Sequence, residues 1–196
     1  MTQGEVFGSV LAAAQVGAEW AFSRLYMDFN PRVERYFAAR APQAADDLAA
    51  DTWMGVARRL KSFEGDETQF RAWLFTIAHR RLLDHWTAQN RRAEDPLDPV
   101  YLNDDDQPAD HARHLASGED LAQNVVDAAT ARAAAQRIAR TLNRDQAEVI
   151  LLRLLGGLDV DQVAEILGKR PGTIRVLQHR ALKKLAEEIS LEDVTG

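Results

Sequence analysis

The residues from Gly157 to Leu185 constrain the fold most, because they predict two helices joined by a tight turn. Asp159 is a suitable N-cap for the first helix, and Gly168 can supply the left-handed residue that ends it. Pro171 suits the first position of the second helix, because its missing N–H costs nothing there. The stretch therefore predicts a helix-turn-helix within an all-α fold.

The second helix of this motif has one apolar face and one basic face. Ile174, Leu177 and Ala181 recur at helical spacing on the apolar face. A basic outer face fits the major groove of DNA, where side chains near the helix start reach base edges and Arg or Lys neutralise phosphates. The alternative is an ordinary amphipathic hairpin with solvated basic residues. The outer face carries Arg175, Val176, His179, Arg180 and Lys183.

The net charge of −6 is concentrated in the middle of the chain. Residues 1–92 carry 12 basic and 11 acidic side chains, residues 93–118 carry 1 and 7, and residues 119–196 carry 11 and 12. The total charge is therefore a poor argument against nucleic-acid binding, because local patches set the field. The absence of cysteine indicates a reducing cytoplasm, and no apolar run approaches the length of a membrane span.

The N-terminal 92 residues predict several amphipathic helices. Asn30-Pro31 predicts a break or kink within the first helical region, between residues 10 and 41. Asp46 and Asp47 suit the first turn of a following helix, and Asp51 lies one turn beyond Asp47. The sequence offers no partner base or metal ligand that would make the carboxylates of Asp47 and Asp51 catalytic. The pair therefore predicts either a solvated helix face or a docking surface for a basic partner.

A glycine-centred polar loop, residues 63–66 (FEGD), precedes a helix that combines aromatic and arginine side chains. Such a combination can hold an unstacked base, although most of the rings are expected in the core. His79 and His85 are six residues apart and do not share a helix face as paired ligands would, so we expect no metal site.

These two regions together resemble the extracytoplasmic-function (ECF) group of bacterial sigma factors, the smallest members of the sigma-70 family. The resemblance rests on AADDLAADTWMGVARRLKSFEGDETQFRAWLFTIAHRRLLDHW followed by LNRDQAEVILLRLLGGLDVDQVAEILGKRPGTIRVLQHRALKKL, and it covers most of the chain. It implies two small helical domains, residues 1–92 and 119–196, joined by an acidic linker over residues 93–118.

The resemblance also implies roles for individual residues. Those implied to dock on the polymerase clamp are Asp47, Leu48, Asp51 and Thr52. Those implied to capture a flipped minus-ten base are Phe63, Glu64, Gly65 and Asp66 in the loop, with Ile77 and Arg80 on the adjoining helix. Those implied to read the minus-thirty-five element are Arg170, Thr173, Arg175, Val176, His179, Arg180 and Lys183.

Three positions depart from the family pattern, so the promoter sequence does not transfer. Arg80 stands where many relatives have Asn, and Val176 and Leu177 stand where many have a polar residue and an arginine. The linker, residues 93–118, is either a flexible acidic tether or, as the resemblance implies, a segment that threads the active-site cleft of the polymerase.

The predicted function is that of a sigma factor that directs core RNA polymerase to promoters and helps to melt the minus-ten element. The implied partners are core polymerase, promoter DNA and an anti-sigma factor, with no cofactor, no metal, no catalytic residue and no membrane insertion. The alternatives are a helix-turn-helix regulator with a sensing N-terminal domain and a helical adaptor that never contacts DNA, which the basic face disfavours.

Overall fold

Eight α-helices and two short 3-10 turns make up the regular structure of the described residues. The computed structural model describes the backbone of residues 3–94 and 121–195 and the side chains of residues 4–91 and 129–188. No strand occurs in these ranges, which confirms the all-α prediction. The helices are α1 (Gln3–Gln15), α2 (Glu19–Arg40), α3 (Ala45–Arg59), α4 (Glu67–Glu94), α5 (Leu121–Thr141), α6 (Arg144–Leu155), α7 (Val160–Leu167) and α8 (Pro171–Thr195).

Aromatic rings form the centre of the N-terminal domain, which comprises α1 to α4. Phe70 is fully buried, and its ring centroid lies 5.6 Å from that of Phe7, 5.2 Å from Phe29 and 5.5 Å from Phe63. Tilted and edge-on ring pairs at such distances stabilise a core beyond their area burial. Side chains from α1, α2 and the loop after α3 therefore converge on this one ring of α4.

Of the break or kink predicted at Asn30-Pro31, the break does not occur, because α2 runs through both residues. Pro31 lies on the exposed side, so the missing backbone hydrogen bond faces solvent. Asn30 is buried and bridges two neighbours, since it accepts a hydrogen bond from Trp53 Nε1 (2.9 Å) and donates one to Glu34 (2.7 Å). Tertiary contacts thus keep the helix continuous, and the chain turns at Gly17, which has a φ of 92°.

Local signals define the C-terminal helices. The side chains of Asn143 and Asp159 cap α6 and α7, each in a reciprocal capping box with a glutamine three residues later. Gly168 adopts the left-handed conformation with φ 60° and ψ 32°, and α8 begins at Pro171. The predicted helix-turn-helix is confirmed.

The two domains pack against each other. Helix α2 contacts α5 and α6, and α4 contacts α7. Buried apolar side chains of both domains, among them Ala135 and Leu155, belong to one contiguous core. Most of the predicted linker lies outside the described residues; its first two positions, 93 and 94, complete α4.

Two glycines of the helix-turn-helix provide a matched pair for testing backbone strain. A Cβ atom would meet nothing within 4 Å at either Gly168 or Gly172, but only Gly168 has a positive φ. We expect Gly168→Ala to lower the free energy of unfolding by about 1–2 kcal/mol. Gly172→Ala should raise it by about 0.4–1 kcal/mol, because alanine restricts the unfolded chain. Urea unfolding followed by circular dichroism measures both; shifts of the same sign would contradict the strain at Gly168.

Candidate nucleic-acid interface

The start of α8 presents a continuous basic surface, held in place by the turn before it. Lys169 N–H donates to the carbonyl of Ala164 (2.9 Å), which closes the C-terminal end of α7. Ile174 and Ala181, on the inner face of α8, are fully buried. The structure brings all seven residues predicted to read the minus-thirty-five element to the solvent: Arg170, Thr173, Arg175, Val176, His179, Arg180 and Lys183.

Few contacts compete for this surface. Of its charged side chains, Lys183 has a long contact of 3.9 Å with Glu187, in which both side chains are more than 60% exposed (71% and 63%). Such a pair contributes little and breaks readily when a phosphate approaches. The surface can therefore offer its arginines, and Lys183 once that weak pair parts, to an anionic ligand.

The loop of residues 63–66 divides into a buried anchor and an exposed tip. Phe63 is 9% exposed, and its ring lies 4.9 Å from that of Trp73. Glu64, Gly65 and Asp66 are exposed. Asp66 also begins α4, since its carboxylate accepts the backbone N–H of Gln69 (2.8 Å). Phe63 thus packs in the core, and the loop tip, residues 64–66, is accessible to a ligand.

Gln15 holds this loop from α1, and the sequence analysis did not single it out. Its side-chain amide donates hydrogen bonds to the carbonyls of Leu60 (3.1 Å) and Phe63 (2.6 Å). These carbonyls flank the turn between α3 and the loop, so one side chain fixes both ends of that turn. No sequence pattern marks this contact, because the partners lie 45 and 48 residues apart.

The two residues predicted on the adjoining helix α4 differ in exposure. Arg80 is exposed, whereas Ile77 is 6% exposed. A Cβ atom added to Gly55 would lie 3.3 Å from Ile77 Cγ2, so α3 and α4 approach closely at this point. Arg80 is available to a ligand, and Ile77 packs between the helices.

The residues predicted to dock on polymerase divide in the same way. Asp47 is exposed and Asp51 is half-buried, whereas Leu48 (6% exposed) and Thr52 (fully buried) belong to the core. The Thr52 hydroxyl donates to the carbonyl of Leu48 (2.7 Å). The acidic pair is therefore the part of this set that a basic partner can contact.

A buried polar cluster joins the two domains, and the sequence analysis did not anticipate it. Glu148 of α6 is 4% exposed, and it accepts hydrogen bonds from Tyr36 Oη (2.8 Å) and Arg40 Nε (2.5 Å) of α2. His79 Nδ1 of α4 lies 3.3 Å from the same carboxylate and 3.0 Å from Tyr36 Oη. We call Tyr36, Arg40, His79 and Glu148 the interdomain cluster.

The interdomain cluster shifts the pKa of two of its members. Burial, followed by the charge of Glu148, raises the pKa of the Tyr36 hydroxyl well above its usual value. Burial alone would raise the pKa of Glu148, but the contact with His79 and the charge of Arg40 outweigh it, so that pKa is lowered. Glu148 is therefore an ionised carboxylate at neutral pH.

A tryptophan flanked by arginines extends the cluster towards the surface. The guanidinium carbon of Arg144, from α6, lies 3.8 Å from the ring centroid of Trp86, and that of Arg40 lies 5.0 Å from it. In contacts of this kind the negative face of the ring attracts the guanidinium electrostatically. Both domains thus contribute to one polar and aromatic contact.

The described residues contain neither a metal-ligand group nor a membrane-spanning helix. No three His, Asp or Glu side chains among them lie together as metal ligands would. Within the same part of the chain, every helix is too short or too polar to cross a bilayer. His79 is engaged in the interdomain cluster, as described above.

Comparison with known families matches both domains. The family described as Sigma-70 region 2 matches residues 25–92, and the family described as Sigma-70, region 4 matches residues 132–185. The first match covers α2 to most of α4, and the second covers the helix-turn-helix. The two matches together leave the predicted linker between them.

Similar curated proteins bear the name of ECF RNA polymerase sigma factors. The chain is 32% identical over 183 residues to the ECF RNA polymerase sigma factor BldN of Streptomyces coelicolor, a match that covers 88% of this chain and 62% of BldN. It is 28% identical over 193 residues to the ECF RNA polymerase sigma factor SigD of Mycobacterium tuberculosis, covering 95% of this chain and 85% of SigD.

Among solved structures, the fold resembles that of the sigma factor RpoE in its complex with the anti-sigma factor NepR from Bartonella quintana. The TM-score is 0.60 at 24% identity, and the match covers 86% of this chain and 96% of that one. CnrH, solved with the cytosolic domain of CnrY, has a TM-score of 0.55 at 19% identity, covering 93% and 96%. At these identities the likeness concerns the fold alone.

Proposed function

The chain belongs to the ECF group of sigma-70 family sigma factors, and on this premise we propose that it directs core RNA polymerase to specific promoters through two separate DNA contacts. The observation that carries the proposal is the exposed basic surface of α8 in the helix-turn-helix. The N-terminal domain of the same chain presents the second surface, which consists of the loop tip and Arg80. The polymerase performs the chemistry, and the sigma factor selects where it begins.

We propose that α8 reads the minus-thirty-five element as duplex. Arg170, just before α8, and Thr173, in its first turn, are exposed where a recognition helix contacts base edges. Lys183 lies about three turns further along, where backbone phosphates pass. Arg175 can donate two hydrogen bonds to a guanine edge, whereas Lys183 offers a point charge.

We propose that the loop tip, residues 64–66, captures an unstacked base of the minus-ten element. The buried ring of Phe63 and the amide of Gln15 support the tip from below. A rigid support favours capture, because unstacking a base costs a few kcal/mol that the contacts must offset. We also propose that the exposed Arg80, about 20 Å further along α4, contacts the phosphate backbone.

We propose core polymerase and an anti-sigma factor as protein partners. Asp47 and Asp51 form the acidic docking surface for the polymerase clamp, while Leu48 and Thr52 support the helix from within. The structure of RpoE with NepR supports an anti-sigma partner, because that relative of similar fold binds one. With core polymerase as its partner, we propose that the chain acts in the cytoplasm.

Transcription in a purified system tests the proposal. Core polymerase free of any other sigma factor is mixed with the protein and a library of promoter fragments, and the transcripts are sequenced. We expect initiation at a defined subset of fragments that share two elements. Binding of duplex DNA without promoter-specific transcripts would instead favour a helix-turn-helix regulator and contradict the sigma-factor role.

Arg175 and Lys183 should differ in the kind of DNA contact they make. We expect Arg175→Ala to weaken binding of the minus-thirty-five duplex by about 1–3 kcal/mol and to relax preference at one position. Lys183→Ala should weaken all sequences alike and lower the slope of log affinity against log salt by about 1. Affinities measured over a salt series and a set of single-base variants distinguish them. Identical, sequence-independent losses would reduce Arg175 to a phosphate contact.

Reversing the charge of the acidic pair should weaken polymerase binding without unfolding the protein. Substitution of an exposed helix residue such as Asp47 changes the free energy of unfolding by no more than about 0.5 kcal/mol, and the half-buried Asp51 should cost about 1 kcal/mol. We therefore expect Asp47→Arg with Asp51→Arg to retain its melting temperature within a few degrees and to lose affinity for core polymerase in a pull-down. Asp28→Arg on α2, also an exposed aspartate, is the control. Wild-type recovery of core with the double variant would remove the assignment.

A further inference from the structure

The contact between the two domains depends on a charge that only the other domain neutralises. All three polar partners of Glu148 (Tyr36, Arg40 and His79) come from the N-terminal domain. The side chains of Arg40 and Glu148 are 9% and 5% exposed. Gln136 of α5 adds a hydrogen bond to the carbonyl of Ala38 (3.2 Å). The paired charges thus exist as a buried pair only while the domains are packed.

The packed arrangement cannot reach both promoter elements. Elements centred near positions −10 and −35 are about 25 base pairs apart, which is about 85 Å of duplex at 3.4 Å per base pair. A compact chain of 196 residues has a radius of gyration of about 16 Å and hence a diameter of about 40 Å. Domain packing covers neither the outer face of α8 nor the tip of the loop. What the packed form restricts is therefore the distance between these two DNA-binding surfaces.

We propose that the interdomain cluster is a latch that holds the free chain in a closed, promoter-incompetent form and opens when the two domains engage the polymerase and DNA. The need to open rests on the proposed function; the closed form itself rests on the contacts above. Opening is reversible because Glu148 and Arg40 regain water when they separate, and this rehydration offsets much of the lost attraction. A purely apolar interface would instead expose two large apolar surfaces to water each time the domains separated.

Distance measurements on the free chain test the latch without polymerase or DNA. The protein has no cysteine, so Ser9→Cys and Lys184→Cys place one dye on each domain at exposed positions. Glu148→Arg puts a positive charge against Arg40, and we expect the ratio of closed to open molecules to fall about 10²–10³-fold, as for the loss of a buried ion pair. Energy transfer between the dyes should drop accordingly.

Asp145→Arg is the matched control, because it makes the same charge change on the same helix. Asp145 is exposed and pairs with Lys169 inside the C-terminal domain (3.1 Å), so its substitution should leave energy transfer unchanged. The charge swap Arg40→Glu with Glu148→Arg should restore part of the transfer. If Glu148→Arg loses helical circular dichroism, Arg40→Glu alone tests the contact from the N-terminal domain, with the same expected opening.

The outcomes separate the latch from the sigma-factor role. Unchanged energy transfer in a folded Glu148→Arg or Arg40→Glu variant overturns the latch, whatever the protein does in transcription. Opening that Asp145→Arg does not share supports it. In the transcription assay, the opened variant should then initiate at lower protein concentration than the wild type; a failure of all variants there would count against the sigma-factor role and not against the latch.

Discussion

Phe70→Ala is expected to lower the free energy of unfolding by about 3–5 kcal/mol, among the largest effects of any single substitution in this chain. The ring of Phe70 is fully buried and contacts rings from α1, α2, the loop after α3, and its own helix. Alanine would leave a cavity at the point where these elements meet, and rigid rings cannot collapse to fill it. Urea unfolding followed by circular dichroism gives the magnitude.

Leu83→Ala provides the control on the same helix. Leu83 is 40% exposed, so its truncation should cost no more than about 0.5 kcal/mol. Because Phe63 packs on Phe70, the Phe70→Ala substitution should also loosen the loop of residues 63–66 at temperatures where the protein is still folded. Similar destabilisation by the two variants would mean that α4 does not pack as described.

Ile174→Asn is expected to abolish duplex binding by the C-terminal domain, with a loss of more than about 100-fold. Ile174 is fully buried between α8 and the helices beneath it. Asparagine there leaves an amide without a partner, which costs about 1–3 kcal/mol, in addition to the lost apolar burial of about 1.5–3 kcal/mol. The sum is comparable to the stability of a small domain, so α8 should no longer be held in position.

Leu182→Asn separates this effect from a change of composition in α8. Leu182 is 51% exposed on the same helix, and its substitution leaves no polar group buried. We expect its affinity for the minus-thirty-five duplex to stay within about threefold of the wild type, a change of about 0.7 kcal/mol. Retention of duplex binding by Ile174→Asn would show that α8 does not depend on this contact for its orientation.

The exposed and buried faces of α8 were predictable, but the burial of single residues in the clamp helix and the loop was not. The family resemblance grouped Leu48 with Asp47, and Phe63 with Glu64, because each pair belongs to one motif. The structure places Leu48 and Phe63 in the core and leaves the acidic neighbours exposed. Which side of a helix faces solvent depends on what packs against it, and that packing partner is distant in sequence.

The continuity of α2 through Pro31 has the same physical origin. Proline disfavours a continuous helix locally, and the sequence offers no sign of compensation. Continuity came from Asn30, whose partner Trp53 lies 23 residues away, and from the apolar face of α2 buried against other helices. A local rule was overridden by contacts that no local window contains.

The sequence by itself determined the helix-turn-helix, from Asn143 to the start of α8, because its signals act within a few residues. A capping side chain reaches a backbone N–H three positions away, and a left-handed glycine such as Gly168 ends a helix through its own backbone conformation. The tertiary structure alone decided how the two domains meet. Glu148 binds partners 108 and 112 residues away, and a buried charge is stable only where the whole fold brings its counter-charges.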